Sequence, residues 1–323
     1  MPKARLSDQD FITAWRRLGQ SSLVAAELGI DERAVRTRRR RVEQKHDIVL
    51  PSVGRPDLKL NEHSLRPTEE TTHRLELEDG CIIVGSDCHY WPEIVTTAHR
   101  GFVRAVDELK PDYVVLNGDI FDGARVSRHG RIGWESRPTV KQELEAVSDR
   151  LGEIEKVAGN ARCIRTWGNH DLRFDSLLSA QAPEYEGVYG MALSDHLPRW
   201  QACWAINVNG HTVIKHRVKN GIHATWNNTS DSQINTVTGH LHNLRVTPRT
   251  TMSPLNGGTI YGVDTGTMAD IWGPQFGYLE DGPRNWRSGF AVLTFVNGYL
   301  MPPELVQVVA DGLIYFRGKT REV

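Results

Sequence analysis

The stretch Cys163-Ile164-Arg165-Thr166-Trp167-Gly168-Asn169-His170-Asp171 decides how this chain is read. A short strand-like run, Cys163–Trp167, gives way to a glycine and then to three side chains able to bind metals or move protons. Four other stretches share that plan. Cys81–Val84 runs into Gly85-Ser86-Asp87-Cys88-His89, and Tyr113–Leu116 into Asn117-Gly118-Asp119-Ile120-Phe121-Asp122. Thr212–Lys215 runs into His216, and Thr236–Thr238 into Gly239-His240-Leu241-His242. Ends of strands in open α/β sheets are where ligands gather. Glycines beside the polar residues let the backbone turn sharply and bring side chains together.

Between and after these stretches the pattern is that of an α/β layered core. Thr97–Leu109 and Val140–Val157 have helical periodicity. After Gln201 the chain turns to strands and tight turns, with Asn209-Gly210 and Asn297-Gly298 as hairpin signals and strand-like Leu305–Val309 and Leu313–Phe316 behind them. A further hairpin is expected from Arg74–Leu77, Glu78-Asp79-Gly80 and Cys81–Val84.

The five stretches offer Asp, His and Asn side chains as donors. Such O and N donors suit Mn²⁺, Fe, Zn²⁺ or Co²⁺ rather than a Cys-rich structural zinc site. Asp87 and His89, two apart, can chelate one ion. His240 and His242 can send one imidazole to each of two ions, and an Asp carboxylate can bridge ions about 3.5–4 Å apart.

Together, D-x-H, G-D-x-x-D, G-N-H-D, a lone His at a strand end and G-H-x-H resemble the calcineurin-like metallophosphoesterase superfamily over residues 81–242. The whole layout is most similar to metallophosphoesterases encoded by tailed bacteriophages. The resemblance implies a four-layer αββα sandwich over residues 73–323. It implies two divalent ions, manganese foremost, with Fe, Zn, Co or Ni as alternatives. Asp87, His89 and His242 would hold the first and Asn169, His216 and His240 the second, with Asp119 bridging. It gives His170 the role of stabilising charge near the scissile phosphate and protonating the leaving oxygen. Asp122 would orient His170, and the attacking group would be a metal-activated hydroxide. One departure bears on substrate. Serine/threonine protein phosphatases carry an Arg directly after the second Asp of G-D-x-x-D, whereas this chain has Gly123. Phosphate gripping is left to Arg125, Arg128 or Arg173.

Residues 1–45 read as three helices. Ser7 caps the first, with Asp10 three residues on. Gly19 ends that helix, Ser21–Leu28 forms the second before Gly29, and Asp31 caps the third. Ala25, Gly29 and Val35 are spaced as in a helix-turn-helix, with Val24, Leu28, Ile30 and Val35 as a small core. Residues 1–50 carry 11 Lys/Arg against 7 Asp/Glu, a net +4, while the whole chain stands at −1. Arg36, Arg38, Arg39, Arg40 and Arg41 are the candidate nucleic-acid contacts; a solvated charged face is the alternative. Residues 46–72, with Pro51, Pro56 and Pro67, read as a linker.

Other conspicuous residues have plainer readings. His223 competes with His216, but only His216 directly follows an alternating strand. His99 sits in a helical pattern and reads as a surface or packing residue, and His129, His196 and His211 as exposed or structural. Asp264 reads as a turn-maker. Trp91, Trp167 and Trp226 lie near the site and are candidates for stacking on a base, although packing is the commoner role.

At 323 residues the chain has room for about two domains. No apolar run reaches the length of a membrane span, and the first residues lack a secretory h-region. Four scattered cysteines (Cys81, Cys88, Cys163, Cys203) fit reduced thiols and argue against a disulfide framework. The expected protein is thus cytoplasmic, in the host cytoplasm if phage-encoded. The leading expectation is a phosphodiesterase or nuclease with DNA as partner. A phosphatase or phosphodiesterase for nucleotides or phosphoproteins is the alternative enzyme, and a DNA-binding regulator with a vestigial metal site is the non-enzymatic one. Oligomeric state is not legible.

Overall fold

A computed structural model describes residues 7–50, 72–131, 133–252, 258–280 and 285–323. The chain forms two compact units, residues 1–67 and 68–323.

The first unit is helical. α1 (Asp8–Leu18) starts on a reciprocal cap, the Ser7 hydroxyl accepting from the Asp10 N–H while the Asp10 carboxylate accepts from Ser7. It stops at Gly19. α2 (Ser21–Leu28) stops at Gly29, and α3 (Glu32–His46) begins at Asp31, whose carboxylate accepts from Arg33 and Ala34. Phe11, Trp15, Val24, Val35, Val42 and Leu50 form its core, with Leu28 and Ile30 packed against them. The core therefore reaches Leu50, whose N–H donates to Glu43 Oε1 at 2.9 Å. Residues 46–50 belong to this unit, and the remainder of the expected linker, Pro51 to residue 71, lies outside the described residues.

Much of the basic charge of α3 is used inside the unit. Arg38, Lys45 and His46 converge on Asp8 at 3.3, 2.8 and 3.3 Å, with Arg41 at 3.6 Å. Arg39 pairs with Glu43 at 3.0 Å and lies 4.7 Å from the Trp15 ring. Arg38 and Arg39 are half-buried; Arg36, Arg40 and Arg41 are exposed.

The second unit is an αββα sandwich. One sheet has nine strands. Its centre is β2 (Gly80–Gly85), β3 (Tyr113–Asn117), β4 (Arg162–Thr166) and β5 (Gln201–Cys203), all parallel, flanked by β11 (Gly289–Val296), β13 (Glu304–Ala310), β14 (Leu313–Phe316) and β15 (Lys319–Glu322); β12 (Tyr299–Leu300) pairs with β11. The other sheet runs β1 (Thr72–Leu75), β6 (Ala205–Val208), β7 (Thr212–Ile214), β8 (Asn235–Thr238), β10 (Gly258–Asp264), β9 (Arg245–Thr251). α4 (Thr97–Leu109) and α5 (Val140–Ala158) cover the first sheet, with α6 (Leu172–Gln181) following the Gly168–Asp171 loop; α7 (Ala224–Ser232) covers the second.

Strand alternation sorts the core into two layers. Ile83, Val114, Leu116, Phe290 and Val292 face the helices, among Phe102, Val106, Val147 and Ile154. Ile82, Val84, Val115, Ala291 and Leu293 face the other sheet, among Ile206, Ile214, Val237 and Val263. Strands buried on both faces read as unbroken apolar runs, which is why these segments stand out in sequence.

Both Asn-Gly pairs are hairpin turns with positive φ at each residue (53° and 75°; 49° and 80°), as the type I′ geometry demands. The expected hairpin at 74–84 does not form. β1 pairs in parallel with β6, Thr72 opposite Ala205, while both edges of β2 are taken by β3 and β11. Leu75 and Leu77 enter the layer between the sheets. Residues 76–79 cross from one sheet to the other, and Asn209 holds the crossing by bonding the Leu77 N–H and C=O at 2.8 and 2.7 Å.

Candidate active site

The loops leaving β2, β3, β4, β7 and β8 meet at one edge of the sandwich. The pairing of β2 with β3 continues past the strands, because Asp87, His89 and Tyr90 donate backbone N–H groups to Gly118, Asp119 and Ile120 at 2.9–3.1 Å. Five side chains there stand on left-handed backbone: Asp87, His89, Asp119, His240 and His242, with φ of 52, 40, 53, 70 and 57°. Non-glycine residues rarely adopt that region, and where they do they cluster at functional sites. Glycine is required at two neighbours. A Cβ on Gly118, itself at φ 79°, would press within 2.5 Å of the His216 ring. A Cβ on Gly168 would lie 2.1 Å from Asp119 Oδ1.

Three overlapping clusters result, each with potential ligand atoms within 4.8 Å of one another: Asp87, His89 and His242; Asp119, His216 and His240; and His89, Asp119 and His170. His216 Nε2 is 3.2 Å from Asp119 Oδ2, and His242 Nε2 is 3.0 Å from Asp87 Oδ1. The fit to metal ions rests on unpaired atoms. His89 Nε2, Asn169 Oδ1 and His242 Nδ1 are buried without a hydrogen-bond partner. Buried polar atoms are nearly always satisfied, so three orphans around two buried carboxylates mark a place for cations. The other nitrogens of two rings are engaged. His216 Nδ1 donates to the Asn117 carbonyl (2.7 Å) and His89 Nδ1 to Asp122 Oδ1 (2.8 Å). Such bonds fix the tautomer that leaves Nε2 free for a metal.

The electrostatics agree. Burial alone would raise the Asp87 carboxyl, but His242 and His216 outweigh it and hold it at about 2. Burial would lower His216, yet Asp119 and Asp87 push it up to about 10. A field that holds a proton that firmly also favours a divalent ion.

His170 sits at the rim. Its Nδ1 lies 3.1 Å from Asp122 Oδ1 and its backbone N–H donates to Asp119 Oδ1 at 2.7 Å. Burial lowers its pKa, but Asp119 and Asp122 outweigh this and raise it. Arg173 Nη2 approaches His170 Nε2 at 3.0 Å while Nη1 donates to the Asp122 carbonyl at 2.9 Å. Asp122 Oδ1 thus serves two imidazoles, His89 and His170, which outweigh burial and hold it well below the usual range.

The structure brings Asp87, His89, Asp119, Asp122, Asn169, His170, His216, His240 and His242 to this one site. His223 stands at the N-cap position of α7, is exposed, and belongs to none of the three clusters. Of the three candidate phosphate grips, Arg173 is beside His170. Arg125 bonds the carbonyls of Arg137 and Pro138, and Arg128 is exposed. Asp264 does make a turn, accepting from the Gly266 N–H at 3.0 Å; it also accepts from Asn243 (3.1 Å), and burial pushes it up to about 7. His99 is buried between Tyr90 and Glu153. Trp167 is buried with the Arg165 guanidinium 4.1 Å from its ring, Trp226 is half-exposed, and Trp91 lines a cavity beside His170.

Sequence reasoning passed over four features. Asp171, the last residue of G-N-H-D, accepts from the backbone N–H groups of Asp119, Ile120, Phe121 and Gly168 at 2.9–3.1 Å and ties two ligand loops together. Its presence in the motif was the available signal. Glu143 on α5 likewise accepts from Gly123 and Ala124. Phe276 and Trp286, 5.8 and 4.1 Å from the His242 ring, wall the site from the β10–β11 connection and belong to no motif.

Comparison with known proteins follows the same line. A family model of calcineurin-like phosphoesterases matches residues 82–280. The Gene 54 protein of Mycobacterium phage L5 is 25% identical over 240 residues, covering 69% of this chain and 92% of that protein. The solved structure of Yfce, a phosphoesterase from E. coli, is 13% identical, covers 69% of this chain and 97% of its own, and has a TM-score of 0.33. With more than half its length matched by the family model and an Asp/His cluster at the ends of its strands, the chain belongs to the calcineurin-like phosphoesterase family.

Proposed function

We propose that this phosphoesterase is a phosphodiesterase acting on DNA with two divalent metal ions, manganese in the first place. The observation that carries the diester reading is the cation count beside His170. Among the described residues lining that cavity, the guanidinium groups are Arg137 and Arg173. Arg137 is spent on the carbonyls of Ala124, His129 and Gly130 and on Glu135. Arg173 remains, and Gly123 offers no second grip. One guanidinium matches the single negative charge of a diester better than the dianion of a monoester. Support for DNA comes from the helical unit, whose α3 presents Arg36, Arg40 and Arg41 to solvent. The surface ion pairs of Arg36 with Glu32 and of Arg41 with Asp8 are weak and readily exchanged for phosphates.

Asp87, His89 and His242 would hold one ion, Asn169, His216 and His240 the other, and Asp119 both. Such ions neutralise phosphoryl oxygens and lower the pKa of water. The chain's own residues do the rest. Arg173 shifts Nη2 from His170 Nε2 to a phosphate oxygen, leaving that nitrogen to take up a proton from solvent. Asp122 keeps the Nδ1 proton in place, and His170 delivers a proton from Nε2 to the leaving oxygen. The test is hydrolysis with Mn²⁺ of bis-p-nitrophenyl phosphate, p-nitrophenyl phosphate, and single- and double-stranded DNA. Diester and DNA turnover is expected; turnover of the monoester alone overturns the reading in favour of a phosphatase.

A further inference from the structure

A cavity of about 550 Å³ opens beside His170, within the usual size range of small-ligand pockets. Asp122, Asn169 and His170 form its inner wall, so whatever fills it sits next to the scissile bond. Its other walls come from three separate segments: Trp91 after β2, the loop through Arg137, and the 3-10 turn Pro274–Leu279 with Gln275 and Tyr278. The loop wall is preformed. Arg137 bonds the carbonyls of Ala124, His129 and Gly130, and Arg125 those of Arg137 and Pro138.

Two features describe the occupant. Trp91 and Tyr278 are flat aromatic surfaces at the cavity, and Trp134, on the loop that leads to Arg137, and Trp272, just before the 3-10 turn, stand 103% and 72% exposed. Gln275 is only 7% exposed, lines the cavity, and has its Oε1 without a hydrogen-bond partner. An unsatisfied buried acceptor is costly, and a ligand N–H would relieve it. Aromatic faces, one buried acceptor and an adjacent guanidinium fit a nucleobase joined to a phosphate.

We infer that this cavity receives one unstacked nucleobase of the nucleotide flanking the cleaved bond, so that the substrate is single-stranded nucleic acid. This rests on the proposed nuclease function. In a duplex the same base is stacked and paired, and taking it into a side cavity requires extruding it. In a single strand it is available, and stacking on aromatic side chains favours it whatever its identity.

The test uses the full chain with Mn²⁺. Substrates are a single-stranded oligonucleotide, its blunt duplex, and two single strands carrying one abasic tetrahydrofuran residue, 5′ or 3′ of the mapped cleavage position. Expected is a kcat/KM at least about 10-fold higher on the single strand than on the duplex. A loss of about 10-fold is expected for the abasic residue on one side only. Trp91→Ala should act mainly through the base, shrinking the intact-to-abasic ratio towards one. Tyr278→Ala gives a second, independent reading of that ratio should the first variant fold poorly. Equal rates on single strand and duplex, with neither abasic substrate impaired, overturn the inference and leave the nuclease function standing. An unchanged intact-to-abasic ratio in both variants also overturns it. Hydrolysis of bis-p-nitrophenyl phosphate with no cleavage of any oligonucleotide overturns the nuclease function and this inference with it.

Discussion

Asp171→Ala should damage the site without touching a ligand. The carboxylate is fully buried and accepts from four backbone N–H groups, Oδ1 from Ile120 and Phe121 and Oδ2 from Asp119 and Gly168. Each donor stranded in the interior costs roughly 1–3 kcal/mol. Four at the low end give about 4 kcal/mol, against a typical total of 5–15 kcal/mol. Asp171→Asn keeps one acceptor oxygen but turns an amide NH₂ towards the other pair of N–H groups, so about half that loss is expected. Urea unfolding in excess chelator, followed by tryptophan fluorescence, isolates the effect from metal binding. With a slope of about 3 kcal/mol/M, the alanine variant should unfold more than about 1 M earlier. Its Mn²⁺ affinity should also fall, because the Asp119 and Gly168 loops lose their common anchor. An alanine variant within 1 kcal/mol of wild type and with unchanged Mn²⁺ affinity would refute the anchoring role.

Asp119→Ala should remove two-metal occupancy and activity; elemental analysis at saturating Mn²⁺ that still finds two ions would contradict the bridging role. His170→Ala should retain metal yet lose roughly 10²–10⁴-fold in turnover, and less on p-nitrophenyl esters, whose leaving group needs little protonation; equal losses on good and poor leaving groups count against proton delivery. Replacing Arg36, Arg40 and Arg41 by Ala should flatten the log–log salt dependence of DNA binding by about 0.9 per lost contact, measured by fluorescence anisotropy, and an unchanged slope removes α3 from the interface. Glu143 is raised from 4.5 to about 7, by burial first and by Asp122 second. A buried carboxyl that holds its proton more tightly when folded stabilises most below the unfolded value and loses that contribution as pH rises from about 4.5 to 7, by about 3 kcal/mol at 1.36 kcal/mol per unit. Glu143→Gln should therefore show a shallower fall in stability over that window in urea titrations, and an identical fall means another group is responsible.

The candidate site was legible because its Asp and His side chains follow directly on the ends of strands that are buried on both faces. Ile82, Ile83 and Val84 are all inaccessible to solvent, and the polar run that follows them has to be loop. His216 was separable from His223 only through the alternating strand ahead of it. The misread hairpin at 74–84 shows the limit of local signals. Glu78-Asp79-Gly80 has the composition of a turn, but β1 takes its partner at Ala205–Val208, far along the chain, and parallel pairing leaves no short-range mark. The same holds for the cavity walls. Gln275, Phe276 and Tyr278 reach the site from the β10–β11 connection, a loop with no motif and no period. In α3 the arginine run was visible, whereas its division was not. The helix turns Arg38 and Arg39 towards Asp8, Glu43 and Trp15, and Arg36, Arg40 and Arg41 towards solvent.

The site also collects what a stable core excludes. Five of the candidate ligands sit on left-handed backbone, and Asp87, Asp119, Asp122 and Asp171 are buried within one small region. Each strained residue costs on the order of 1–3 kcal/mol, and buried charges cost more unless paired. Imidazoles pair with three of the carboxylates, and backbone N–H groups satisfy the fourth. The two apolar layers on either face of the nine-stranded sheet offset the rest. The loops that carry these side chains are held in place by Asp171, by the β2–β3 backbone pairing and by Gly118 and Gly168. An ion bound there would not have to fold the loops that hold it, and more of its binding energy would be left for the reaction.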